Sequence, residues 1–134
     1  MAQTTGRINF GCPTVKLTIG GSRTRLEFEA IVDTGFSGFI LLPITSAVPL
    51  GLELEGMSVF DMVDGTQHQW PTAIANIEFG SHYREMSIAL PAQSNDILLG
   101  MEFLRSFEQS LVIHRNQVFL MDESDLDVAL ARLH

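Results

Sequence analysis

Hydrophobic and polar residues alternate over much of the first quarter of the chain. Residues 15–19 place an apolar side chain at every second position, and residues 26–30 repeat this pattern with glutamates between. A period of two is typical of strands with one buried face. The Gly20-Gly21-Ser22 segment between the two runs therefore predicts a β-hairpin.

The same reasoning predicts three further hairpins. Each joins two segments with apolar positions through a short turn that is polar or contains glycine. The turns are Asp64-Gly65 within residues 58–70, Gly80-Ser81-His82 within residues 72–90, and Arg115-Asn116 within residues 110–122. The segment "FILLP", residues 39–43, is apolar on both faces, which predicts a central strand that ends at its proline.

Helices are expected at two places only. Residues 101–108 predict a short helix directly after Gly100, and residues 122–134 form an acidic tail with apolar residues at helical spacing. Ser124 is the expected cap of the tail helix. Residues 44–57 are weakly patterned and predict a loop with at most one helical turn. These elements together predict a single mostly-β domain over residues 1–134, either a small barrel or a sandwich.

Composition narrows the classes of function. The chain has 134 residues, of which 46% are hydrophobic and 18% charged, as expected for one folded domain. A net charge of −8 argues against general binding to nucleic acid or to an anionic membrane. The single cysteine, Cys12, excludes an intrachain disulfide. The first twenty residues lack the pattern of a signal peptide and no apolar run approaches membrane-spanning length, so a cytoplasmic protein is expected.

Asp33 stands between two strongly apolar runs in "AIVDTGFSGFIL", residues 30–41. A carboxylate in that position is either desolvated or presented at the end of a strand by a tight turn. Gly35 and Gly38 are expected to supply the backbone freedom for the turn. One interpretation is a simple β-turn in which Asp33 caps its own backbone. The apolar flanks argue against it, because they would place the turn deep in the core.

Three segments together carry a resemblance to a known family. "IVDTGFSGFILLP" resembles the active-site loop of the retropepsin-like aspartic proteases, and "NDILLGMEFLRSF" resembles the segment and short helix that pack under that loop. "DMVDGTQHQW" falls where the family carries its flap hairpin. The resemblance implies an all-β fold: a small closed retropepsin-like barrel with one short helix after Gly100 and a C-terminal helical tail. It also implies aspartic endopeptidase activity.

The resemblance further implies the residues of the site. Asp33, Thr34 and Gly35 match the catalytic loop of the family, in which the threonine bonds across a two-fold axis and the glycine lets backbone approach the substrate. The implied substrate-binding residues are Phe36, Ser37, Met62, Val63, Asp64, Gly65 and Thr66. Phe36 is bulkier than its counterparts in the family, and we expect it to narrow a substrate subsite. Neither a cofactor nor a metal is implied.

The family's chemistry needs two carboxylates that hold one water between them. This chain has one D-T-G motif, and Asp61, Asp64 and Asp96 do not lie in comparable turns. The second Asp33 must therefore come from a second copy, which makes a homodimer the expected partner and an extended peptide or unfolded protein the expected substrate. "GRINFG", residues 6–11, and "QVFLMD", residues 117–122, are the candidates for a terminal sheet shared between the two chains.

Several alternatives stand beside this interpretation. Phe36 and the acidic tail also fit a non-catalytic dimerisation or peptide-binding module, and a monomeric barrel would leave a single Asp33 unable to act. A serine hydrolase is disfavoured, because Phe39 stands where a nucleophile elbow around Ser37 needs glycine. The histidines at positions 68, 82, 114 and 134 fall in or beside turns, which favours exposed residues over zinc ligands.

Overall fold

Strands make up most of residues 3–133, which are the residues that the computed structural model describes. Ten strands and three short helices occur in this range. In chain order they are β1 (Gln3–Asn9), β2 (Cys12–Gly20), β3 (Arg25–Val32), β4 (Ile40–Leu41), α1 (Ile44–Leu50), β5 (Leu54–Asp61), β6 (Gln67–Phe79), β7 (His82–Ala89), β8 (Leu98–Leu99), α2 (Met101–Ser106), β9 (Gln109–His114), β10 (Gln117–Asp122) and α3 (Glu123–Ala131). The prediction of a mostly-β fold with a short helix after Gly100 is confirmed.

The strands form one sheet that closes on itself in part. Its order is β5-β6-β7-β4-β8-β3-β2-β1-β10-β9, and an additional pairing joins β6 to β2. Six strands from β6 through β7, β4, β8 and β3 to β2 are thus hydrogen-bonded in a ring. Most neighbours are antiparallel, but β3 pairs with β8 and β4 pairs with β7 in parallel. The parallel pairs bring segments that are distant in sequence to the end of β3.

The core lies inside this ring and follows from the alternation of the sequence. Val15, Leu17 and Ile19 share one face of β2, and each is at most 3% exposed. Phe79 at the end of β6 packs against Phe103 and Phe107, which extends the core to α2. Alternate residues of the strands are thus buried on one face. The aromatic contacts of Phe79 join this core to α2 and keep the short helix packed against it.

All four predicted hairpins are present. β2 and β3 pair on either side of residues 21–24, and the β5–β6, β6–β7 and β9–β10 hairpins turn at the predicted positions. Gly65 and Gly80 have positive φ angles of 84° and 57°, and so do Arg115 and Asn116 at 51° and 62°. These turns could be predicted because left-handed backbone favours glycine and asparagine.

The prediction of a loop over residues 44–57 is wrong. Residues 44–50 form α1, which ends at Gly51 in a left-handed conformation, and β5 already begins at Leu54. Ala47 and Leu50 are buried, so α1 is held by packing although it contains Pro49. The predicted strand over residues 39–43 is shortened to Ile40–Leu41.

The two chain ends also differ from expectation. Asp122 occupies the position before α3 and makes no capping bond with its side chain, while Ser124 lies inside the helix rather than capping it. β1 pairs with β10 over five residue pairs and with β2 over three. The segments expected to be shared between two chains therefore pair with each other inside one chain. The last residue of the predicted tail, His134, lies outside the described residues.

Within residues 3–133, no helix combines the length and the apolar character needed to cross a membrane.

Candidate active site

Asp33 follows the last residue of β3 and begins a tight turn. Its N–H donates to the carbonyl of Leu99 at 2.8 Å, which continues the parallel β3–β8 pairing by one residue. The Phe36 N–H donates to the Asp33 carbonyl at 3.2 Å, and the Gly35 N–H donates to Asp33 Oδ1 at 2.9 Å. The carboxylate is therefore fixed by its own turn at the end of a buried strand, and it remains partly exposed.

The segment around Gly100 holds the Asp33 turn from below. The Met101 N–H donates to the Phe36 carbonyl at 2.9 Å, and the Gly100 N–H donates to the Phe39 carbonyl at 2.9 Å. A side chain on Gly100 would overlap the carbonyls of Phe36 and Gly38, so only glycine fits there. The start of α2 thus packs against the Asp33 loop through backbone bonds.

The β5–β6 hairpin lies directly over this loop. The Ser37 N–H donates to the Asp61 carbonyl at 3.1 Å, and the Asp61 N–H donates back to Ser37 Oγ at 3.0 Å. A Cβ on Gly35 would lie 2.5 Å from the Cβ of Val63 at the hairpin tip. The tip therefore rests on the D-T-G turn, and Gly35 permits that contact because it has no side chain.

Close approach, rather than left-handed backbone, explains both loop glycines. Neither Gly35 nor Gly38 is among the glycines with positive φ. A Cβ on Gly38 would lie 2.6 Å from the Phe36 ring and 2.9 Å from the Phe60 ring. The expectation that these two glycines supply backbone freedom for the turn is corrected accordingly.

The hairpin tip is an ordered turn over residues 62–66. The Gly65 N–H donates to the Met62 carbonyl at 3.0 Å, and the Met62 N–H donates to the Thr66 carbonyl at 3.0 Å. Asp64 Oδ1 accepts the Thr66 hydroxyl at 2.6 Å and the Thr66 N–H at 2.9 Å. These bonds lower the pKa of the exposed Asp64 carboxyl, so that it stays ionised and holds the turn. Asp64 and Thr66 therefore bond to each other within the tip.

An aromatic row connects the loop to the hairpin. The Phe36 ring lies 5.6 Å from Phe60, Phe60 lies 5.8 Å from Trp70, and Trp70 stacks on His68 at 4.9 Å, measured between ring centroids. Phe36 is fully buried. Its ring supports the loop and the hairpin from inside, which differs from the expectation that it narrows a substrate subsite.

Comparison with known proteins agrees with these features. Residues 15–106 match the family model described as "gag-polyprotein putative aspartyl protease". The chain belongs to this aspartyl protease family. Its fold is also similar to that of a retropepsin-like aspartic protease from Rickettsia conorii, with a TM-score of 0.61 at 17% identity over 88% of this chain and 89% of that one. Among curated proteins, none matches the chain.

The predicted site residues of this family member occupy two layers. Asp33, Thr34, Gly35 and Ser37 form the lower layer, and the hairpin tip with Met62 and Val63 forms the upper layer in contact with it. Thr34 is exposed at the turn. Gly65 serves the tip by its positive φ, and Phe36 lies beneath the lower layer.

Sequence reasoning missed two residues that position these layers. Phe60 and Trp70 sit on the two arms of the hairpin, where Phe60 pairs with His68 and Ser58 pairs with Trp70. The sequence could have revealed them, because the predicted hairpin carries one aromatic residue on each arm. Diagonal neighbours on paired strands lie within reach of aromatic rings. Trp70 also lines a cavity of ≈ 400 Å³ between the hairpin base and residues 90–94.

The histidines have separate neighbours. His68 stacks on Trp70, whereas His82 stacks beside Phe79 and lies 3.3 Å from Asp122 Oδ1. His82 is half-buried rather than an exposed turn residue. Over the described part of the chain, no group of three or more histidine, cysteine or acidic side chains is placed to hold a metal ion.

Proposed function

We propose that the chain is an aspartic endopeptidase that acts as a homodimer, with Asp33 from each copy forming the catalytic pair. The observation that carries the proposal is the presentation of Asp33: a carboxylate at the end of a buried strand, with Oδ1 fixed by the Gly35 N–H. Within residues 3–133, Gly35 supplies the one hydrogen bond to this carboxylate. The other oxygen is therefore available to a water and to a second carboxyl group.

The proposed reaction hydrolyses a peptide bond by general acid–base catalysis. Two carboxyl groups that share a site cannot both ionise comfortably, so they hold one proton between them. The ionised Asp33 takes a proton from the water as the water attacks the carbonyl carbon, while the protonated Asp33 of the second copy donates to the carbonyl oxygen. The Asp33 that took the water proton then donates it to the amine nitrogen as the C–N bond breaks, while the other Asp33 takes a proton from a hydroxyl of the tetrahedral intermediate, so that the pair again holds one proton. Metals, cofactors and covalent enzyme intermediates have no part in the proposal.

In this proposal, the β5–β6 hairpin covers the bound substrate. An extended peptide would lie between the Asp33 turn and the tip over residues 62–66, and would bond through its backbone as an added strand. Val63 now contacts Gly35, so the tip must lift before a peptide enters. Met62 and Val63 would then supply apolar contacts to the substrate, and Thr34 would bond across the two-fold axis.

The test is the variant Asp33→Asn. Asparagine keeps the Oδ1 acceptor for the Gly35 N–H, so the turn and the fold should persist. We expect cleavage of an unfolded protein to fall by at least about 10³-fold, in the range that general acid–base groups contribute. Circular dichroism serves as the control for folding. Cleavage by Asp33→Asn at the wild-type rate would refute the assignment.

A second candidate function is a peptide-binding module without catalysis. It is favoured by one observation, the bulky Phe36 in the catalytic loop, whose buried ring packs against Phe60 beneath the Asp33 turn. Pepstatin-sensitive turnover of a denatured substrate, measured across a pH series, separates the two functions. Turnover at any pH supports the endopeptidase. Peptide binding without turnover at every pH and protein concentration supports the module.

We further propose that residues 1–134 act as one protease domain, with residues 122–134 as an appended tail. The family match covers residues 15–106, and β1, β9 and β10 join the same sheet from outside that range. The tail helix α3 contributes no buried residue. The catalytic unit therefore extends beyond the matched segment at both ends, whereas α3 is peripheral to it.

A further inference from the structure

His68 lies where two sets of contacts in the β5–β6 hairpin meet. On one side, its Nε2 lies 3.0 Å from the hydroxyl oxygen of Thr66 at the hairpin tip. On the other side, its ring stacks on Trp70, with 4.9 Å between the ring centroids and 7° between the ring planes. His68 therefore joins the tip over residues 62–66 to the aromatic row.

The hydrogen bonds of the tip have one consistent direction. The Thr66 hydroxyl has a single hydrogen, and an ionised carboxylate can only accept. Because this hydroxyl lies 2.6 Å from Asp64 Oδ1, it donates its hydrogen to Asp64. The hydroxyl oxygen then acts as an acceptor, so His68 Nε2 carries a hydrogen and donates it to Thr66. The bonds run from His68 through Thr66 to Asp64.

The charge state of His68 acts on the same three residues. Bonds from the Thr66 hydroxyl and N–H, together with the attraction of a protonated His68, lower the pKa of the Asp64 carboxyl. Asp64 therefore stays ionised when acidification converts imidazole to imidazolium. A hydrogen bond from a charged donor is stronger than one from a neutral donor. We therefore expect His68 to hold the tip more firmly in its protonated form.

The other charged groups near the hairpin lie away from the His68 ring. Asp61 is on the opposite face of the hairpin, where it accepts a bond from Gln67 at 2.8 Å. The cavity beside His68 and Trp70 is lined by residues 44, 71 and 90–94, none of which is charged. Asp33 lies on the loop below the tip. A pH effect on the tip thus has two sources, His68 and the proposed Asp33 pair, and variants at position 68 separate them.

The aromatic row connects His68 with the Asp33 loop. Trp70 stacks with Phe60 at 5.8 Å, and Phe60 contacts the buried Phe36 ring at 5.6 Å. The arms of the hairpin are therefore positioned from below by the loop. A tip that moved independently of these arms would have to be ordered again whenever a peptide binds, and that ordering weakens binding.

We propose that His68 is a positioning residue of the hairpin, whose Nε2–H fixes the tip to the aromatic row so that tip and arms close over the substrate together. Imidazolium fixes the tip more firmly than neutral imidazole does. The inference rests on the proposed function, because a bound peptide is what the hairpin closes over. It makes substrate affinity, rather than the rate of bond cleavage, depend on position 68.

The first test needs no activity and separates the hydrogen bond from the stacked ring. His68→Phe keeps a ring against Trp70 and removes the donor, whereas His68→Gln keeps an N–H donor and removes the ring. The Thr66 amide bonds to Asp64 Oδ1, and its hydrogen exchange should be about two- to tenfold faster in His68→Phe. In His68→Gln it should stay within about twofold of the wild type.

Gln69→Ala is the matched control for this exchange measurement. Gln69 is exposed, and it lies on the same strand as His68 with its side chain on the other face. Its replacement should leave the exchange rate of the Thr66 amide unchanged. An unchanged Thr66 rate in His68→Phe, or equal acceleration in His68→Phe and Gln69→Ala, would overturn the proposal.

The second test measures cleavage of a synthetic peptide that spans a bond cut by the wild type. We expect His68→Phe to raise KM by about two- to tenfold and to keep kcat within about twofold, as when an interaction common to the ground state and the transition state is lost. His68→Gln should recover most of the affinity. A lower kcat with unchanged KM in His68→Phe would overturn the positioning role.

The third test uses pH. Trp70 is the one tryptophan of the chain, and protonated imidazole quenches the fluorescence of an indole that it contacts. Emission from the wild type should fall on acidification, and emission from His68→Gln should stay level. The ratio of KM for His68→Phe to KM for the wild type should be larger on the acid side of this transition, since the Asp33 pair titrates in both proteins. An equal ratio on both sides would overturn the proposal.

This proposal and the proposed function fail separately. Wild-type cleavage by Asp33→Asn would refute the catalytic pair, yet faster Thr66 exchange in His68→Phe would still support the contact of His68 with the tip. If Asp33→Asn abolishes cleavage while His68→Phe changes neither Thr66 exchange nor KM, the endopeptidase stands and the role of His68 is refuted.

Discussion

Ser37 fastens the Asp33 loop to the hairpin above it with two hydrogen bonds. One uses its backbone N–H and the other its hydroxyl, and both go to Asp61 at the end of β5. The neighbouring Gly35 allows the hairpin tip to approach because a side chain there would overlap Val63. The closed position of the hairpin therefore depends on two single residues of the D-T-G-F-S segment.

Ser37→Ala removes the hydroxyl bond and keeps the backbone bond. A hydrogen bond of this kind contributes about 0.5–1.5 kcal/mol, so the open hairpin should become up to about tenfold more populated. Hydrogen exchange of the Asp61 amide should accelerate by that factor. Ser58→Ala on the same strand is the control, because Ser58 is exposed and lies outside the loop contact. An unchanged Asp61 exchange rate would show that the hydroxyl does not hold the hairpin.

At the residue scale, the features that could be predicted are those encoded by residues next to one another in the sequence. Asp33, Gly35 and the hairpin tip were identified because the turn motif and its apolar flanks are contiguous in sequence. The buried position of Phe36 could not be predicted in the same way. It depends on Phe60, which the fold brings to the loop from β5, and on the close approach that Gly38 allows within the loop. Short-range patterns show where a turn lies but not which side chain ends up beneath it.

At the scale of elements, hairpins with special turn residues were predictable and marginal elements were not. Residues 44–50 include Thr45, Val48 and Pro49, which are poor helix formers, so α1 depends on the burial of Ala47 and Leu50. The β1–β10 pairing joins opposite ends of the chain and leaves no local signal. Both α1 and the β1–β10 pairing therefore depend on tertiary packing rather than on local sequence.

The tail helix α3 is attached mainly at its first residues. The Glu123 N–H donates to the Glu108 carbonyl at 2.9 Å, and the preceding Asp122 accepts a bond from buried Gln109 and lies beside His82. Beyond these residues, α3 has no buried side chain. The connection at Asp122, rather than the helix itself, should therefore stabilise this corner of the fold.

Truncation after Asp122 tests that expectation. We expect the free energy of unfolding to change by less than about 1 kcal/mol, because exposed segments contribute little. Asp122→Ala in the full chain should cost more, about 1–3 kcal/mol, since it leaves the Gln109 amide without this partner. Urea unfolding of both variants provides the comparison. A truncated chain that is less stable than Asp122→Ala would mean that α3 packs on the fold more strongly than its burial indicates.

At the scale of the whole molecule, the proposed function makes the Asp33 turn one half of a symmetric site. The family match and the retropepsin-like fold establish the type of protein, and the chain contains one D-T-G turn. In the proposed function, a second copy of the chain supplies the other Asp33. The central claim is therefore that activity belongs to a pair of chains and not to one.

Subunit mixing measures this claim directly. Wild type and Asp33→Asn are equilibrated at fixed total concentration, and cleavage of an unfolded protein is followed as the wild-type fraction changes. If both Asp33 residues of a dimer are required, activity follows the square of that fraction, and an equal mixture retains about one quarter of the wild-type activity. A linear dependence, with about one half retained, would show that each chain acts alone and would contradict the shared catalytic pair.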